Sequence, residues 1–409
     1  MRVLTFTSLF PNSYQPLLGI FVYQRIAHLA RRPGNLVQVV APVPHFPPSL
    51  PTTRWQKYAQ IPREERIGNL TVYHPRYLLV PKISMPLHGL LMFLGTLSFV
   101  RQLNQEIDFD CIDAHYLYPD GFAATMLGRR LGLPVIVSAR GTDVNVFPSF
   151  PLIRPMIRWT LRRAAGIIAV SRALKETMVK LGAPPEEVCV IGNGVDTQRF
   201  QPFDRRMARR QLGVPEEAQV IVSVGSLIPS KGHQLLLAAA AGIAPRYPHL
   251  QIYLLGEGSY RARLEALARE ARVQDRLHLV GSKPNEELPL WFSAADVSCL
   301  ASAREGWPNV LLESLACGTP VLATRVGGVP EVITSPELGV LVDQDIASIA
   351  RGLEQALGRQ WDREALVRYA QTRTWDVVAA ELERYLASQI PPRGSSAPSR
   401  SGNGLNGVD

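Results

Sequence analysis

Runs of β-branched and other apolar residues, each long enough for one strand, alternate with longer helical patterns along most of this chain. Alternating strands and helices fold into parallel sheets that are covered by helices on both faces. The alternation stops near residue 192 and begins again near residue 220. The sequence therefore predicts two doubly wound α/β domains in tandem, and a chain of 409 residues is long enough for both.

The predicted strands of the first domain are Val3–Thr7, Val37–Val40, Leu70–His74, Cys111–His115, Val135–Ala139 and Gly166–Val170. Its predicted helices are Ile20–Arg31, Pro86–Gln105, Gly121–Leu131 and Leu152–Ala165. The predicted strands of the second domain are Val220–Val224, Gln251–Leu255, Leu277–Val280, Val297–Leu300 and Val321–Ala323. Its predicted helices are Gly232–Arg246, Tyr260–Arg272, Glu286–Ala294 and Val310–Cys317, and a last amphipathic helix is predicted at Trp375–Leu386.

The boundary between the domains is predicted in the segment Gly192–Pro202, whose glycines, asparagine and proline favour a turn and a linker. We expect a first domain over residues 1–196 and a second over residues 197–370. The tail over residues 389–409 is polar and rich in small residues, and it is expected to be disordered. Doubly wound domains bind ligands beyond the carboxyl ends of their strands, so the site is expected in the cleft between them.

The composition is that of a globular enzyme, with 46% hydrophobic and 19% charged residues. The net charge of +9 fits an anionic ligand, an acidic membrane face or nucleic acid. The basic residues are scattered rather than grouped in a stripe, so nucleic acid is not expected as a partner. The four cysteines lie far apart without CxxC spacing, which indicates free thiols in a reducing cytosol.

One group of basic residues lies on a single predicted helical face around Trp159, at Arg154, Arg158, Arg162 and Arg163. This face is either a solvated surface or a contact for anionic lipid headgroups. The most apolar run, Met85–Val100, is shorter than the ~20 residues that span a bilayer, and it predicts a buried or interfacial helix. The expected location is the cytoplasm, with peripheral contact at the inner face of the plasma membrane as a further hypothesis.

The stretch Glu305–Glu313 carries one carboxylate before a predicted helix and one within it. Gly306 and Pro308 follow the first acid, and the chain then turns apolar. Proline fits the first position of a helix, and the free N–H groups of Asn309 and Val310 would then present a positive dipole end to a phosphate. From the spacing alone, the alternatives are an ordinary helix with two surface acids and a site for a sugar diphosphate.

Three predicted strands of the second domain are each followed directly by a glycine. After the first of them, Gly225 and Ser226 lead to Lys231 at a helix start, where an ammonium group would hold a diphosphate. This is not a P-loop, because the lysine precedes Gly232 and no Ser or Thr follows. An exposed lysine in a plain turn is the alternative. The positions where the backbone could approach a nucleobase or ribose closely are Gly256, Gly258 and Gly281.

In their order along the chain, these motifs resemble the retaining glycosyltransferases of family 4, which have the GT-B fold. The motifs are Val-Gly-x-Leu-x-x-x-Lys-Gly, Gly-Glu-Gly, Val-Gly, Glu-Gly-x-Pro-x-x-x-x-Glu and Gly-Thr-Pro-Val, preceded by Asn193–Asp196. Gly-Thr-Asp-Val-Asn and Glu-Gly-Trp-Pro-Asn are similar to the teichuronic-acid-type polysaccharide transferases. The resemblance extends to about residue 388 and implies two Rossmann-like domains facing across a cleft, with a helix over residues 371–388 that crosses back to the first domain.

The resemblance implies transfer of a sugar from a UDP- or GDP-linked donor to a glycan or polyprenyl-linked acceptor, with retention of configuration and without a cofactor or metal. Glu305 is expected to accept hydrogen bonds from sugar hydroxyls and Glu313 to hold the ribose, while Lys231 stabilises charge on the leaving diphosphate. The expected catalytic residues are Glu305, Lys231 and Arg140. The other donor-binding residues that it implies are Gly19, Gly225, Ser226, Gly256, Gly258, Gly281, Gly306, Trp307, Asn309, Val310 and Glu313.

Two residues depart from the family pattern. Many relatives have His where this chain has Arg140, and arginine cannot act as a base at neutral pH. Arg140 is expected either to hold a phosphate or an acidic substrate group bidentately or to pair with Asp143. Ser226 stands where family members usually carry Arg, so one positive charge is missing from the expected diphosphate site. Either Lys231 and the helix start suffice to hold the diphosphate, or Arg140 or Arg325 replaces the missing charge. The residues expected on the acceptor side are His115, Asp120 and Asp143.

Asp343 and Asp345 form a D-x-D pattern, which metal-dependent transferases use to hold a cation. Because the helical pattern Ile346–Leu357 follows at once, Asp345 is predicted to be an N-cap and no metal is expected. Two other functions stay open at this point. One is a sugar-nucleotide epimerase or phosphorylase on the same fold. The other is a non-catalytic subunit that kept the nucleotide site, which Ser226 and Arg140 favour.

Overall fold

The computed structural model describes residues 1–45, 57–79 and 85–391, and these residues form two α/β domains, each built on its own sheet. The predicted disordered tail lies outside the described residues from residue 392 onward. Its first residue, Gln389, is the last residue of the last helix. The four cysteines are free, and three of them are buried.

The strands of the first domain are β1 (Arg2–Phe6), β2 (Leu36–Val40), β3 (Val43–His45), β4 (Glu64–Ile67), β5 (Leu70–Tyr73), β6 (Arg76–Leu78), β7 (Cys111–His115), β8 (Val135–Ala139), β9 (Gly166–Ala169) and β10 (Val188–Val190). Its helices are α1 (Ile20–Arg31), α2 (His88–Ile107), α3 (Phe122–Leu131), α4 (Thr142–Asn145), α5 (Arg154–Arg163) and α6 (Arg172–Lys180). Eight strands form a sheet in the order β10-β9-β8-β7-β1-β2-β5-β4. Within the described ranges, only its edge strand β4 is antiparallel to its neighbour, and β3 pairs separately with β6.

The strands of the second domain are β11 (Gln219–Val224), β12 (Leu250–Leu255), β13 (Leu277–Gly281), β14 (Val297–Leu300), β15 (Val321–Thr324) and β16 (Gly339–Val342). Its helices are α7 (Arg205–Leu212), α8 (His233–Ile243), α9 (Arg261–Glu270), α10 (Leu288–Ala294), α11 (Asn309–Ala316), α12 (Val329–Val332), α13 (Ile346–Gly358) and α14 (Arg363–Gln371). The six strands are all parallel, in the order β13-β12-β11-β14-β15-β16.

The apolar runs of the sequence become strands because both faces of each sheet are covered by helices. β8 is an example, since all five of its residues are buried and its sequence shows no alternation of polar and apolar side chains. The predicted fold class, two Rossmann-like α/β domains, is confirmed. Most predicted elements differ from the observed ones by one or two residues at an end, as helix and strand ends usually do.

In each sheet the strand order reverses at the first strand. β1 lies between β7 and β2, and β11 lies between β12 and β14. The connections that leave the carboxyl ends of such neighbouring strands go to opposite faces of the sheet, so a crevice opens between them. The loops after β11 and β14 line the crevice of the second domain, and the loops after β1, β7 and β8 line that of the first.

The last helix, α15 (Trp375–Gln389), belongs by its contacts to the first domain. Its buried residues Val378, Leu382 and Leu386 join the core that contains Val3 of β1 and Ile26 of α1. The chain reaches α15 beside the point where it first left that domain. There Val195 pairs with Thr374 in an isolated parallel bridge, so the two crossings between the domains run side by side.

Helix α2 carries the most apolar run of the sequence. It buries Met92, Thr96 and Val100, while Leu90 and Leu94 are exposed on its other side. None of the helices in the described part of the chain combines the length and the apolar character that crossing a membrane requires.

Candidate active site

Lys231 and Glu305 meet although 74 residues separate them in the sequence. The Nζ atom of Lys231 lies 2.6 Å from Oε1 of Glu305, and only 28% and 12% of the two side chains are exposed. The loop after β11 holds Lys231 against the loop after β14. A Cβ atom on Gly232 would lie only 1.9 Å from the carbonyl oxygen of Ala301, so this approach requires glycine. The structure thus brings two of the predicted catalytic residues into one ion pair.

A pocket of about 250 Å³ lies in the cleft around this ion pair, and both domains contribute to it. The first domain provides Arg140, Gly141, Thr142, Asn145 and Val146, and the second provides Ser230, Lys231, Arg304, Glu305 and Gly306. The two sides touch through backbone, because a Cβ atom on Gly306 would lie 2.6 Å from the carbonyl oxygen of Arg140. All three predicted catalytic residues therefore line one pocket.

Glu313 lies on α11 and is buried, with 9% of the residue exposed. Burial raises the pKa of its carboxyl group to about 7, and the positive charge of Arg199 acts in the opposite direction. The start of α11 differs from the prediction. Pro308 precedes the helix as its cap, and the amide of Asn309 donates to the carbonyl of Trp307 at 3.1 Å, so this amide is not free for a phosphate.

The glycines predicted to bind the donor pack loop against loop. A Cβ atom on Gly256 would lie 2.0 Å from the carbonyl oxygen of Gly225, and one on Gly258 would lie 2.1 Å from that of Leu227. The amide of Gly256 also donates to the carbonyl of Gly281 at 2.9 Å. In the first domain, Gly19 packs in the same way, since its Cβ would lie 2.1 Å from the carbonyl oxygen of Leu9. Their contact with the donor stays a prediction.

Arg140 follows β8 and is held by two side chains. Its Nη2 atom lies 2.5 Å from Nδ1 of His115, and its Nη1 donates to Oδ1 of Asn193 at 3.3 Å. Burial lowers the pKa of the guanidinium to about 10, which leaves it charged at neutral pH. One alternative was that the guanidinium pairs with Asp143, and the structure does not have this pair. The backbone amide of Arg140 donates to that carboxylate instead, at 3.0 Å.

Asp120 and Asp143, which were expected on the acceptor side, are both wholly buried. Asp143 accepts hydrogen bonds from the amides of Leu117 and Gly141 as well as Arg140, at 2.8–3.0 Å. Asp120 accepts from the amide and the hydroxyl of Ser8, at 2.5 and 3.0 Å. Burial raises the pKa of Asp120 to about 7 and also raises that of Asp143. Both side chains fix loops after β1, β7 and β8, and an acceptor role stays a prediction.

Three further predicted positions lie beside the pocket rather than in its lining. The ring of Trp307 packs on the linker, where a Cβ atom on Gly192 would lie 2.4 Å from it. Ser226 is exposed at the end of β11 and brings no charge, and Arg325 is exposed outside the pocket lining. Of the residues considered as replacements for a charge at Ser226, Arg140 alone lines the pocket.

The D-x-D pattern precedes α13. Asp345 accepts a hydrogen bond from the amide of Ser348 at 2.8 Å and caps the helix, so the predicted N-cap is confirmed. Over residues 1–45, 57–79 and 85–391, no three His, Cys, Asp or Glu side chains are grouped as a metal site would group them.

Comparison with known proteins gives the family. The profile described as Glycosyltransferase Family 4 matches residues 18–199, and that described as Glycosyl transferases group 1 matches residues 204–373. The D-inositol 3-phosphate glycosyltransferase of Thermobispora bispora is 37% identical over 316 residues, which cover 71% of this chain and 73% of that protein. This chain belongs to glycosyltransferase family 4.

The glycosyltransferase also resembles proteins over nearly its whole length. TuaC of Bacillus subtilis (strain 168), a protein named as a teichuronic acid biosynthesis glycosyltransferase, is 26% identical over 389 residues, or 93% of this chain and 92% of that one. The structure of Anabaena Alr3699/HepE in complex with UDP matches with a TM-score of 0.72 at 19% identity, over 95% of this chain and 100% of that one. This structural match confirms the GT-B arrangement of the two domains.

Sequence reasoning missed several residues of the glycosyltransferase pocket. Arg304 directly precedes Glu305, and Thr142 and Asn145 lie in the Gly-Thr-Asp-Val-Asn motif, so their positions beside motif residues were the available signal. His115 was expected on the acceptor side, but it lies wholly buried beneath Arg140. No local pattern indicated this contact.

The basic face of α5 contributes no residue to the lining of the glycosyltransferase pocket. Its four arginines are exposed, at Arg154, Arg158, Arg162 and Arg163. Trp159 turns inward, where its ring lies 5.2 Å from that of Phe122. The exposed part of this helix is therefore almost purely basic.

Proposed function

We propose that this glycosyltransferase binds a nucleotide-diphosphate sugar in the cleft and transfers the sugar, with retention of configuration, to a glycan or lipid-linked acceptor. The observation that carries this proposal is the pocket between the domains, in which Lys231 and Glu305 form an ion pair and Arg140 faces them from the other domain. This pocket offers positive charge for a diphosphate and a carboxylate for sugar hydroxyls.

The charges of the pocket suit a leaving diphosphate. Among the described residues of the lining, Arg140, Lys231 and Arg304 are the three cations and Glu305 is the one acid. Fixed charges that meet developing negative charge in a partly dry cleft are often the largest contribution to catalysis. We assign stabilisation of the diphosphate to Lys231 and Arg140, and hydrogen bonding of the sugar hydroxyls to Glu305.

Glu313 is assigned to the ribose. It follows Asn309 by four residues on α11, so both side chains lie on one face of the helix. Its buried carboxyl group would accept hydrogen bonds from the two ribose hydroxyls. HepE was solved in complexes with UDP and with UDP-glucose, which favours uracil over guanine as the first base to test.

The transfer step needs no separate protein base. The bond between the anomeric carbon and the phosphate oxygen breaks, and the acceptor oxygen bonds to the same face of that carbon. The departing phosphate oxygen takes the proton of the acceptor hydroxyl. This route is compatible with Arg140, because a guanidinium stabilises the phosphate without accepting a proton. No metal is assigned to the step.

The relatives differ in the acceptor that their names indicate. TuaC points to a cell-surface polysaccharide, while the Thermobispora protein points to inositol 3-phosphate. We favour the glycan or lipid-linked acceptor, since the similarity to TuaC extends over 93% of this chain. Inositol phosphate is the acceptor to test beside it.

The experiment is turnover of UDP-sugars, followed as release of UDP, by the wild type, by Glu305→Ala and by the control Glu364→Ala on the exposed side of α14. We expect slow donor hydrolysis that an acceptor accelerates, and a loss of about a hundredfold or more in Glu305→Ala only. Equal turnover in wild type and Glu305→Ala would contradict the assignment. If UDP binds but no UDP-sugar is turned over, a non-catalytic subunit is favoured. If one UDP-sugar is converted into another, an epimerase is favoured.

We also propose that the basic face of α5 contacts an anionic membrane at the inner face of the plasma membrane. Its exposed arginines complement acidic headgroups, each contributing about 1 kcal/mol close to such a surface. The test is co-sedimentation with vesicles of phosphatidylglycerol or of phosphatidylcholine. Binding to the acidic vesicles alone, lost in Arg154→Ser/Arg158→Ser/Arg162→Ser, is expected. Unchanged binding of this variant would refute the proposal.

A further inference from the structure

A buried polar cluster lies directly beneath Arg140, and the proposed chemistry does not use it. Asp113 and His115 are on β7, two residues apart and therefore on the same face of the strand. Both are wholly buried. β7 pairs with β8, and His115 lies opposite Ser138, two residues before Arg140.

The contacts form a chain that ends at the guanidinium. Nε2 of His115 lies 3.1 Å from Oδ2 of Asp113, close enough for a hydrogen bond although the two groups are not aligned as one. A carboxylate beside Nε2 favours the proton on that nitrogen. Nδ1 then has a free lone pair, and it lies 2.5 Å from Nη2 of Arg140.

His115 fits this arrangement only as a neutral ring. Burial, and after it the charge of Arg140, lower its pKa to about 4, against the opposing effect of Asp113. A protonated ring would have no lone pair for Arg140 and would repel the guanidinium. At neutral pH the histidine is therefore an acceptor for the arginine.

Asn193 holds the other side of the guanidinium from the linker between the domains. Its Oδ1 atom accepts from Nη1 of Arg140 and from Nη2 of Arg25, both at 3.3 Å. Arg25 is itself wholly buried and also donates to the carbonyl of Ile191 at 2.7 Å. The two terminal nitrogens of Arg140 thus each have one fixed partner, on a strand and on the linker.

Burying the charged groups of such a cluster lowers the stability of the fold unless they have good partners. A buried carboxylate loses its hydration, and only good partners offset that loss. Within the described residues, neither carboxylate oxygen of Asp113 has an aligned hydrogen-bond donor, and the nearby charges of Arg25 and Arg140 offset part of the cost of its burial. A long arginine side chain would otherwise sample many conformations, and the cluster restricts it to one conformation before a ligand binds.

We propose that Asp113, His115 and Asn193 are positioning residues that hold the guanidinium of Arg140 in place to meet the diphosphate of the donor. This inference rests on the proposed function. It predicts that the three residues affect the donor only through Arg140.

The test is a double-mutant cycle on the binding of UDP, measured by calorimetry for the wild type, Arg140→Ala, His115→Ala and the double variant. We expect UDP to bind about tenfold more weakly to Arg140→Ala and about fivefold more weakly to His115→Ala. The double variant should match Arg140→Ala within about twofold. His115→Gln, whose amide oxygen can accept from Arg140, should keep most of the affinity.

The matched control is His74→Ala. His74 is also buried and its Nε2 lies 2.7 Å from Oε1 of Glu65, but it is outside the pocket lining. UDP affinity should not change in this control. If His115→Ala does not fold, Asp113→Asn replaces it in the cycle with the same expectation.

The outcomes separate this inference from the proposed function. Losses that multiply in the double variant, or an equal loss in His74→Ala, would overturn the positioning role while the nucleotide site stands. Full affinity in both His115→Ala and Asp113→Asn would overturn it as well. A wild type that binds no UDP and no other nucleotide diphosphate would overturn the proposed function and this inference with it.

Discussion

The ammonium group of Lys231 lies 2.6 Å from Oε1 of Glu305. The two residues are assigned to different parts of the donor, the lysine to the diphosphate and the glutamate to the sugar. Before a donor binds, each charged group is therefore neutralised by the other. A donor has to compete with this ion pair, and the pair keeps both partly buried side chains in place until it does.

Glu305→Gln should separate binding from turnover. Without the carboxylate, Lys231 is free to meet the diphosphate. UDP, which lacks the transferred sugar, should therefore bind as well as to the wild type or up to about threefold more tightly. Sugar transfer should fall about a hundredfold or more, because the amide has no negative charge and replaces one of the two oxygens that accept from the sugar hydroxyls with a donor. Calorimetry with UDP and a UDP-release assay measure the two quantities.

Lys231→Ala should lower both the affinity for UDP and the rate of sugar transfer. It removes the cation and leaves Glu305 partly buried without its partner. Glu364→Gln, on a side chain that is 90% exposed, is the matched control and should alter neither. A parallel loss of UDP affinity and transfer in Glu305→Gln would argue that Glu305 acts on the nucleotide rather than on the sugar.

Nucleotide binding should depend on pH through Glu313. Burial raises the pKa of this carboxyl group to about 7, and the ionised form is the one that accepts two ribose hydroxyls. UDP affinity should therefore rise between pH 6 and 8 and level off above. In Glu313→Gln the affinity should be lower and this part of the pH dependence should vanish. The ionisation of UDP itself contributes equally in both proteins. The difference in pH dependence between the wild type and Glu313→Gln therefore reports on Glu313 alone.

The same carboxyl group should affect stability with the opposite sign. Its pKa in the folded chain is above the value of about 4.3 in an unfolded chain, so folding takes up a proton between these two values. The free energy of unfolding therefore falls as the pH rises from about 4.3 to about 7. Glu313→Gln should show a smaller fall in urea titrations across this window. An equal fall in both proteins would contradict the raised pKa.

Gly306→Ala should disturb the contact between the domains. The new Cβ atom would lie 2.6 Å from the carbonyl oxygen of Arg140, so the loops must separate. Displacements of this size at a catalytic site cost about tenfold to a hundredfold in rate. Gly242→Ala is the control, because nothing lies within 4 Å of its new Cβ atom on α8. That change should leave transfer intact and stabilise the chain by about 0.5 kcal/mol.

The fold could be predicted because buried parallel strands appear in the sequence as continuous apolar runs, such as the one that became β8. Edge strand β4 was missed because it reads Glu-Glu-Arg-Ile rather than as an apolar run, and none of its four residues is fully buried. Helix α7 was missed because it is rich in arginine. One of these, Arg209, is buried against Asp296, a contact at long range that no local pattern encodes.

The site could be predicted only as far as topology determines it. Lys231 and Glu305 follow neighbouring parallel strands, so their places in strand-end motifs indicated one common site, while the ion pair between them was not predicted. The contacts of Arg140 with His115 and Asn193 depend on the pairing of β7 with β8 and on the path of the linker. Likewise, the burial of Asp120 and Asp143 follows from loop packing, which spacing in the sequence does not describe.

Truncation of a core contact in α15 should destabilise the first domain. Leu382 is wholly buried in the core that α15 shares with α1, and its change to Ala should cost about 2–5 kcal/mol. Glu383→Gln should cost less than about 1 kcal/mol, because its ion pair with Arg32 is partly exposed. The exposed Arg384 on the same helix provides the control, and its change to Ala should be nearly neutral. Hydrogen exchange in Leu382→Ala should accelerate in β1, β2 and α1 and not in β11 and β14. Uniform acceleration in both sheets would mean that the two domains unfold as one unit.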